Sequence, residues 1–218
     1  MRVLVVDHQS QDATAALARS RGAGVITRPF DGFVAARRFA LSQVQTPWTL
    51  MIDADEALDA ELAQSLVDAP DDRDGYEMLR TTYYCGRALR MWRGERLLRL
   101  FRTERAKLIA QPAAGGAAEL HERWIIDGPA GELAGTLLHF SYDTDDAYRE
   151  KYERYTATEA AGLKPSWTDY ARESLRAPVR FAWLALARGA LLDGAPGLRI
   201  AWRSALYPVA VRRKALRK

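Results

Sequence analysis

The stretch TPWTLMIDADEALDAEL, Thr46 to Leu62, carries an apolar run, Trp48 to Ile52, that stops in three acids, Asp53, Asp55 and Glu56. A run of this length bounded by polar residues reads as a buried strand. Two residues apart in an extended chain, Asp53 and Asp55 project to the same side. At about 4 Å, two like charges repel by roughly 1 kcal/mol in water and roughly 4 kcal/mol at an effective dielectric of 20. The pair is tolerated if it is well solvated, if one acid is protonated, or if a divalent cation sits between them. Magnesium and manganese take carboxylate oxygens, with substrate phosphate completing the shell. The plainer reading is that Asp53 ends the strand while Asp55 or Glu56 caps a helix.

On the amino-terminal side, VLVV (Val3 to Val6) reads as a short strand closed by Asp7. A helix capped by Asp12 and stopped by Gly22 comes next, and then a strand, Gly24 to Thr27. Phe33, Ala36, Ala40 and Val44 fall on one helical stripe. A further helix is expected from Asp59 through Val67. Strands alternating with helices give an α/β class with a parallel sheet. In such sheets ligands bind beyond the carboxyl ends of the strands, which places Asp7 and Asp53 on one edge if their strands are neighbours. Beyond the acids no G-x-G-x-x-G or P-loop appears, and DADE lacks the D-x-D-G core of aspartyl phosphatases.

After Gly75 the pattern changes. YEMLRTTYY and RLLRLFR read as extended segments, and AAGGAAELHERWIIDGPAGELAGTLLHFSY as Gly-rich and turn-rich. From Tyr148 helices return: DAYREKYERYTATEAAGL, then APVRFAWLALARGALLDG and PGLRIAWRSALYPVAVRRKALRK. Neither of the last two is apolar over the roughly 20 residues needed to span a bilayer. The final helix instead reads as interfacial, with Leu198, Trp202, Ala205 and Val209 on one side and Arg199 and Arg203 on another. Packing of that stripe onto the domain is the alternative.

The net charge of +4 is unevenly placed: Arg176 to Lys218 holds ten Lys/Arg and one acid, Asp193. A basic tail on an acidic body points to an anionic partner, a membrane surface or a nucleic acid, the latter on charge alone. A single cysteine, Cys85, excludes an intramolecular disulfide framework and fits a reducing compartment, and the start MRVLVVDHQS does not read as a signal peptide.

Taken in order, VLVVDHQSQDAT, FDGFVAARRFAL, WTLMIDADEAL, LLRLFR, LHER, LLHFSY and LLDGAPGLRIAWRSALY form a series. The series resembles the family 2 glycosyltransferases, specifically the bacterial lipopolysaccharide-core group, over nearly the whole chain. The resemblance implies a GT-A fold: a mostly parallel, Rossmann-like sheet flanked by helices, with C-terminal helices. It implies a nucleotide-sugar-binding and catalytic domain over residues 1–147 and a basic, helical segment over 148–218. It further implies a nucleotide-sugar donor, a divalent metal (Mg or Mn) and a lipid-linked glycan acceptor, with an inverting transfer. The expected place is cytoplasmic, peripheral on an anionic inner-membrane surface, with no nucleic-acid partner.

Carried over residue by residue, Asp7 would contact the donor's base or ribose. Asp53 and Asp55 would form the D-x-D element and hold the metal, Asp55 the more directly, with Asp53 also at the nucleotide-sugar, and Arg37 would face the diphosphate. Glu122 would be the general base, its alternative being a surface ion pair with Arg123. His121 is a candidate metal ligand or orienter of Glu122. Arg99 and Arg102 are candidate phosphate or acceptor contacts, or the solvated face of a strand. His139 reads as structural, and Trp92 and Trp124 as core residues or sugar-stacking platforms.

Two departures stand out. The group carries another strand and helix before the V-V-D strand on which this sequence starts. Either they lie upstream, which is the reading preferred, or a partner fills the gap, or the chain is a catalytically silent relative acting as an interaction protein. The glycines after Asp7 are replaced in HQSQDAT, and Asn of R-N becomes Arg38, which either meets phosphate or faces solvent.

Overall fold

The first apolar run forms β1 (Leu4–Asp7), and the chain returns through α1 (Thr14–Ser20) to β2 (Gly24–Thr27) in the computed structural model, which describes residues 2–111 and 121–217. The two strands run parallel, with Leu4 opposite Gly24 and Asp7 opposite Thr27. Asp12 accepts a hydrogen bond from the Thr14 N–H at 2.9 Å at the entry to α1, and Gly22, at φ 84°, closes its exit. α2 (Phe33–Ser42) then buries Val34 and Ala36, and Val34 packs in one cluster with Phe101, Leu108 and Trp124.

The strand of the acidic stretch, β3 (Trp48–Leu50), is only three residues long, and β4 (Glu56–Leu58) begins on the third acid. Asp59 then caps α3 (Ala60–Val67), accepting from the Leu62 N–H at 2.8 Å. β5 (Gly75–Tyr84), the short β6 (Arg87–Ala88) and β7 (Glu95–Arg102) follow. β8 (Ala106–Gln111) pairs with β9 (His121–Ile126), and β10 (Ala130–Tyr142) is the longest strand described. Part of the Gly-rich stretch, residues 113–120, lies outside the described residues; the rest of it is strand apart from residues 127–129.

The α/β class with C-terminal helices holds, but the pairing is mixed instead of mostly parallel. The large sheet has the order β3-β7-β5-β10-β4, with β6 on β5, and only β5 and β10 run parallel in it. Parallel neighbours need crossovers of about a dozen residues or more. From β5 to β7 the chain turns back at once, through Gly86 and Gly94 at positive φ. Among the described residues β1 pairs with β2 alone, so the strands closed by Asp7 and preceding Asp53 are not hydrogen-bonded neighbours.

β3 and β4 are the two edges of that sheet, yet only residues 51–55 connect them. Four strand spacings in a flat sheet come to about 19 Å. A link that also folds back on itself, Glu56 N–H to Asp53 C=O at 3.0 Å, falls short of that span. The sheet therefore curls until its edges approach, and the acids lie where they meet. β10 accommodates the curl with a register shift between Glu132 and Thr136. Gly135 there sits at φ 86°, and a Cβ on it would come within 2.2 Å of the Leu62 nitrogen.

Leu62, Tyr76, Met78, Leu133 and Leu137 fill the core between the sheet and α3. A second cluster joins Tyr84, Leu89 and Met91 to Tyr148, Ile200 and Ala201. It ties the far end of the sheet to α4 (Asp145–Ala161) and α6 (Gly194–Ala215). Between them runs α5 (Trp167–Leu186), whose cap, Ser166, accepts from the Asp169 N–H at 3.2 Å. Of the stripe expected to be interfacial on α6, Ala205 is fully buried, Leu198 and Val209 are half-buried, and only Trp202 is exposed. No helix among the described residues is long and apolar enough to cross a membrane.

Candidate active site

Asp53 is gripped from two sides. Arg99, on β7 with its side chain 6% exposed, donates to Asp53 Oδ2 at 2.9 Å and to Glu56 Oε1 at 2.5 Å. Arg37, one turn along α2 from buried Val34, donates through Nη2 to both Asp53 oxygens at 2.8 and 2.9 Å. Its Nη1 pairs with Glu122, whose side chain is 7% exposed. Burial would raise the Asp53 carboxyl, but Arg99 and Arg37 outweigh it and hold it below the usual range. Burial likewise works against the charge on Arg99, and Asp53 and Glu56 more than restore it. The buried Glu56 also lies 3.7 Å from Arg80 of β5 and accepts from the Asp53 N–H at 3.0 Å.

Asp55 keeps other company. Its Oδ2 is 3.3 Å from His139 Nε2 and 3.8 Å from Lys151 Nζ, while its side chain stays 39% exposed. Thr82 lies 3.1 Å from His139 Nδ1. A neutral imidazole that donates from Nε2 to Asp55 accepts the Thr82 hydroxyl at Nδ1. The bond from His139 holds the Asp55 carboxyl below its ordinary value against the opposing effect of burial.

The extended chain expected to carry Asp53 and Asp55 is not what the structure shows. Ala54 and Asp55 form a turn, and among the described residues the two carboxylates share no hydrogen-bond or ion-pair partner. Their charges are met by separate sets of side chains: Arg37 of α2 and Arg99 of β7 at Asp53, His139 of β10 and Lys151 of α4 at Asp55. The plainer reading fails as well: β4, not a helix, follows Asp55, and Asp59 makes the cap.

The structure brings Arg37, Asp53, Glu122 and Arg99 into one ionic group. Glu122 bonds to Arg37 and not to its neighbour Arg123. Arg99 and Arg102 part company: Arg102 pairs with Asp71 and Asp74 at the far end of β7. Asp7 stays outside the group: buried at the tip of β1, it accepts from the Ser10 N–H at 3.3 Å, and the Ser10 side chain holds its carboxyl below the usual range. Arg38 donates to the Leu108 carbonyl at 3.3 Å. His121 starts β9, and its side chain is outside what is described. Trp124 is buried against Phe101 in the core.

Lys151 and Arg80 were not singled out by sequence, Glu56 was read only as a third acid or a helix cap, and His139 was read as structural. A signal existed for Arg99: it shares β7's inward face with fully buried Phe101, and an arginine there requires a carboxylate. His139 and Arg80 also border a cavity of about 510 Å³ reaching Trp92, Tyr142, Tyr155 and Arg188. Aromatic faces beside arginine, histidine and hydroxyl groups suit a polar ring with apolar C–H faces.

The sequence model of glycosyl transferase family 2 matches residues 1–119, a span that holds Asp7, Arg37, Asp53, Asp55 and Arg99. The chain belongs to that family. This glycosyltransferase is 30% identical over 221 residues, 94% of its length and 78% of the relative's, to the lipopolysaccharide core biosynthesis glycosyltransferase LpsC of Rhizobium meliloti. It is 38% identical over 101 residues to the uncharacterized glycosyltransferase RT0209 of Rickettsia typhi, covering 45% of this chain and 33% of that one. A shorter match, 41% over 59 residues, joins it to the uncharacterized glycosyltransferase Mb0553 of Mycobacterium bovis, 27% of each chain. Glu122 lies beyond the family-model match.

Among the described residues no group of three or more His, Cys, Asp or Glu side chains could hold a metal by itself. Magnesium sites commonly use one or two carboxylates plus water and substrate phosphate. Asp55, half exposed and bound by one imidazole and a distant ammonium, fits that pattern; Asp53, held by two guanidinium groups, does not.

Proposed function

We propose that this glycosyltransferase moves a sugar from a nucleotide-sugar donor to a saccharide acceptor of a cell-envelope glycan. Support for the acceptor class comes from the similarity to LpsC. The observation that carries the reading is the convergence of Arg37, Asp53 and Glu122, from three separate elements, beside Asp55.

When bound at Asp55, a divalent cation would neutralise charge on the departing nucleoside diphosphate. Arg37 adds a guanidinium aimed where negative charge grows in the transition state. Glu122 is the general base, taking the proton of the attacking acceptor hydroxyl. One of its oxygens is engaged by Arg37, which orients the carboxylate, while Oε2 has no hydrogen-bond partner among the described residues. Arg99 and Glu56 hold Asp53 fixed, so Arg37 keeps its position as donor binds. The acceptor ring lies in the aromatic cavity that His139 and Arg80 border.

Release of nucleoside diphosphate from a panel of nucleotide sugars with manganese tests this reading. Glu122→Gln is expected to cut transfer about 100-fold or more while leaving donor binding intact. Equal transfer by Glu122→Gln and wild type would remove Glu122 from the role. Metal-independent turnover, unchanged in Asp55→Ala, would remove the ion.

A further inference from the structure

We propose that the outward face of α5 seats the protein on an anionic lipid bilayer. Leu175, Val179, Trp183 and Leu186 are 79, 70, 55 and 72% exposed. At about 100° per residue they fall within an arc of about 80° on one side of the helix. The opposite side is apolar too: Ala177 and Ala185 are buried there, and Phe181 and Leu184 pack on the core cluster that includes Ile200 and Ala201. A helix apolar on both sides is ordinarily covered on both sides. Single exposed leucines need no explanation, but a run of four on one face does. Leu191 and Leu192, just beyond the helix, are 53 and 70% exposed.

Charge selects the occupant. Arg172 lies within the apolar arc and Arg176 at its margin, by the same helical spacing. Four guanidinium groups, those of Arg172, Arg176, Arg180 and Arg212, surround only two carboxylates, Asp169 and Glu173. Asp145, in turn, is shared by Arg149, Arg199 and Arg203. Apolar residues flanked by surplus guanidinium suit lipid chains beneath phosphate headgroups. The face also adjoins the cavity, because Arg188 lines it and lies 5.8 Å from the Trp183 ring centre. The basic amphipathic tail thus meets the membrane through α5 rather than α6, whose stripe, Trp202 apart, is partly or fully buried. The proposal stands on these residues whether or not the transfer reading holds.

Co-sedimentation of the full chain with vesicles of about 30 mol% phosphatidylglycerol in phosphatidylcholine, at about 0.1 M salt, tests it. Wild type is expected to pellet with these vesicles and to remain soluble with phosphatidylcholine alone. Val179→Glu with Leu186→Glu is expected to lower the partition coefficient at least about tenfold with an unchanged circular dichroism spectrum. Val67→Glu, a substitution at a residue 79% exposed on α3, should leave partition unchanged. Trp183→Phe should remove most of the vesicle-induced blue shift in tryptophan emission. Equal partition by the double variant and wild type would overturn the proposal, as would failure of wild type to bind any vesicle. A wild-type dimer that the double variant converts to monomer without lipid would assign the face to self-association instead.

Discussion

Asp53 and Asp55 are separated by one alanine and are held in opposite ways. Asp53 is fixed between a buried arginine from β7 and a half-buried one from α2. Asp55, 39% exposed against 32% for Asp53, is bound instead by an imidazole and a distant ammonium. A turn at Ala54 and Asp55 separates them, and each meets its own set of partners. On the proposed reading, the first would support Arg37 and the second would take the ligand. One short acidic motif thus contains two kinds of residue.

The largest effect expected from breaking this contrast is at Arg99. Arg99→Met leaves Asp53 and fully buried Glu56 without their shared partner. Removal of one member of a buried ion pair costs roughly 3–5 kcal/mol, readable as a lowered urea midpoint. A loss below about 1 kcal/mol would mean that the two acids find other partners and that the inner cluster is not a lock.

Next in size is the functional half. Asp55→Asn should reduce manganese-dependent turnover by about 100-fold or more while shifting the thermal midpoint by only a few degrees. A stability loss as large as that of Arg99→Met would erase the distinction between the two acids.

A pH series sharpens it further. Because Asp53's folded pKa lies below its unfolded value of about 3.9, its contribution is complete above about pH 4 and fades as pH falls through the folded value. Asp53→Asn should therefore be less stable than wild type at neutral pH, with the gap narrowing as pH is lowered toward about 3 in urea titrations. A gap independent of pH would show that charge is not what Asp53 contributes. The smallest effect is expected at His139→Gln: about 0.5–1.5 kcal/mol of stability, the worth of an ordinary hydrogen bond, and a few-fold rise in the donor KM.

Local signals account for what the sequence revealed of this molecule. β2 spans Gly24–Thr27 as read, α3 begins after its Asp59 cap, and α4 follows its polar pattern to Gly162. β10 was hidden because its Gly and Ala residues interrupt the apolar alternation, and its pairing with β5 and β4 is set far away in sequence. α5 starts ten residues earlier than its apolar run, at Trp167, because Ser166 supplies a cap that polar composition obscured. Pro178 is interior to it. At the site, Arg37, Asp53, Asp55 and Glu122 were named from pattern and resemblance. Their division into two groups was not legible, since it depends on Arg99, 46 residues from Asp53, and on His139 across the sheet.

Manganese binding in the presence of a nucleoside diphosphate, followed by electron paramagnetic resonance on wild type, Asp55→Asn and Asp53→Asn, tests the division most directly. The two-role account predicts that wild type sequesters the ion, that Asp55→Asn leaves it free, and that Asp53→Asn still binds it under conditions where the variant is folded. Undiminished binding by Asp55→Asn, with loss confined to Asp53→Asn, would contradict it.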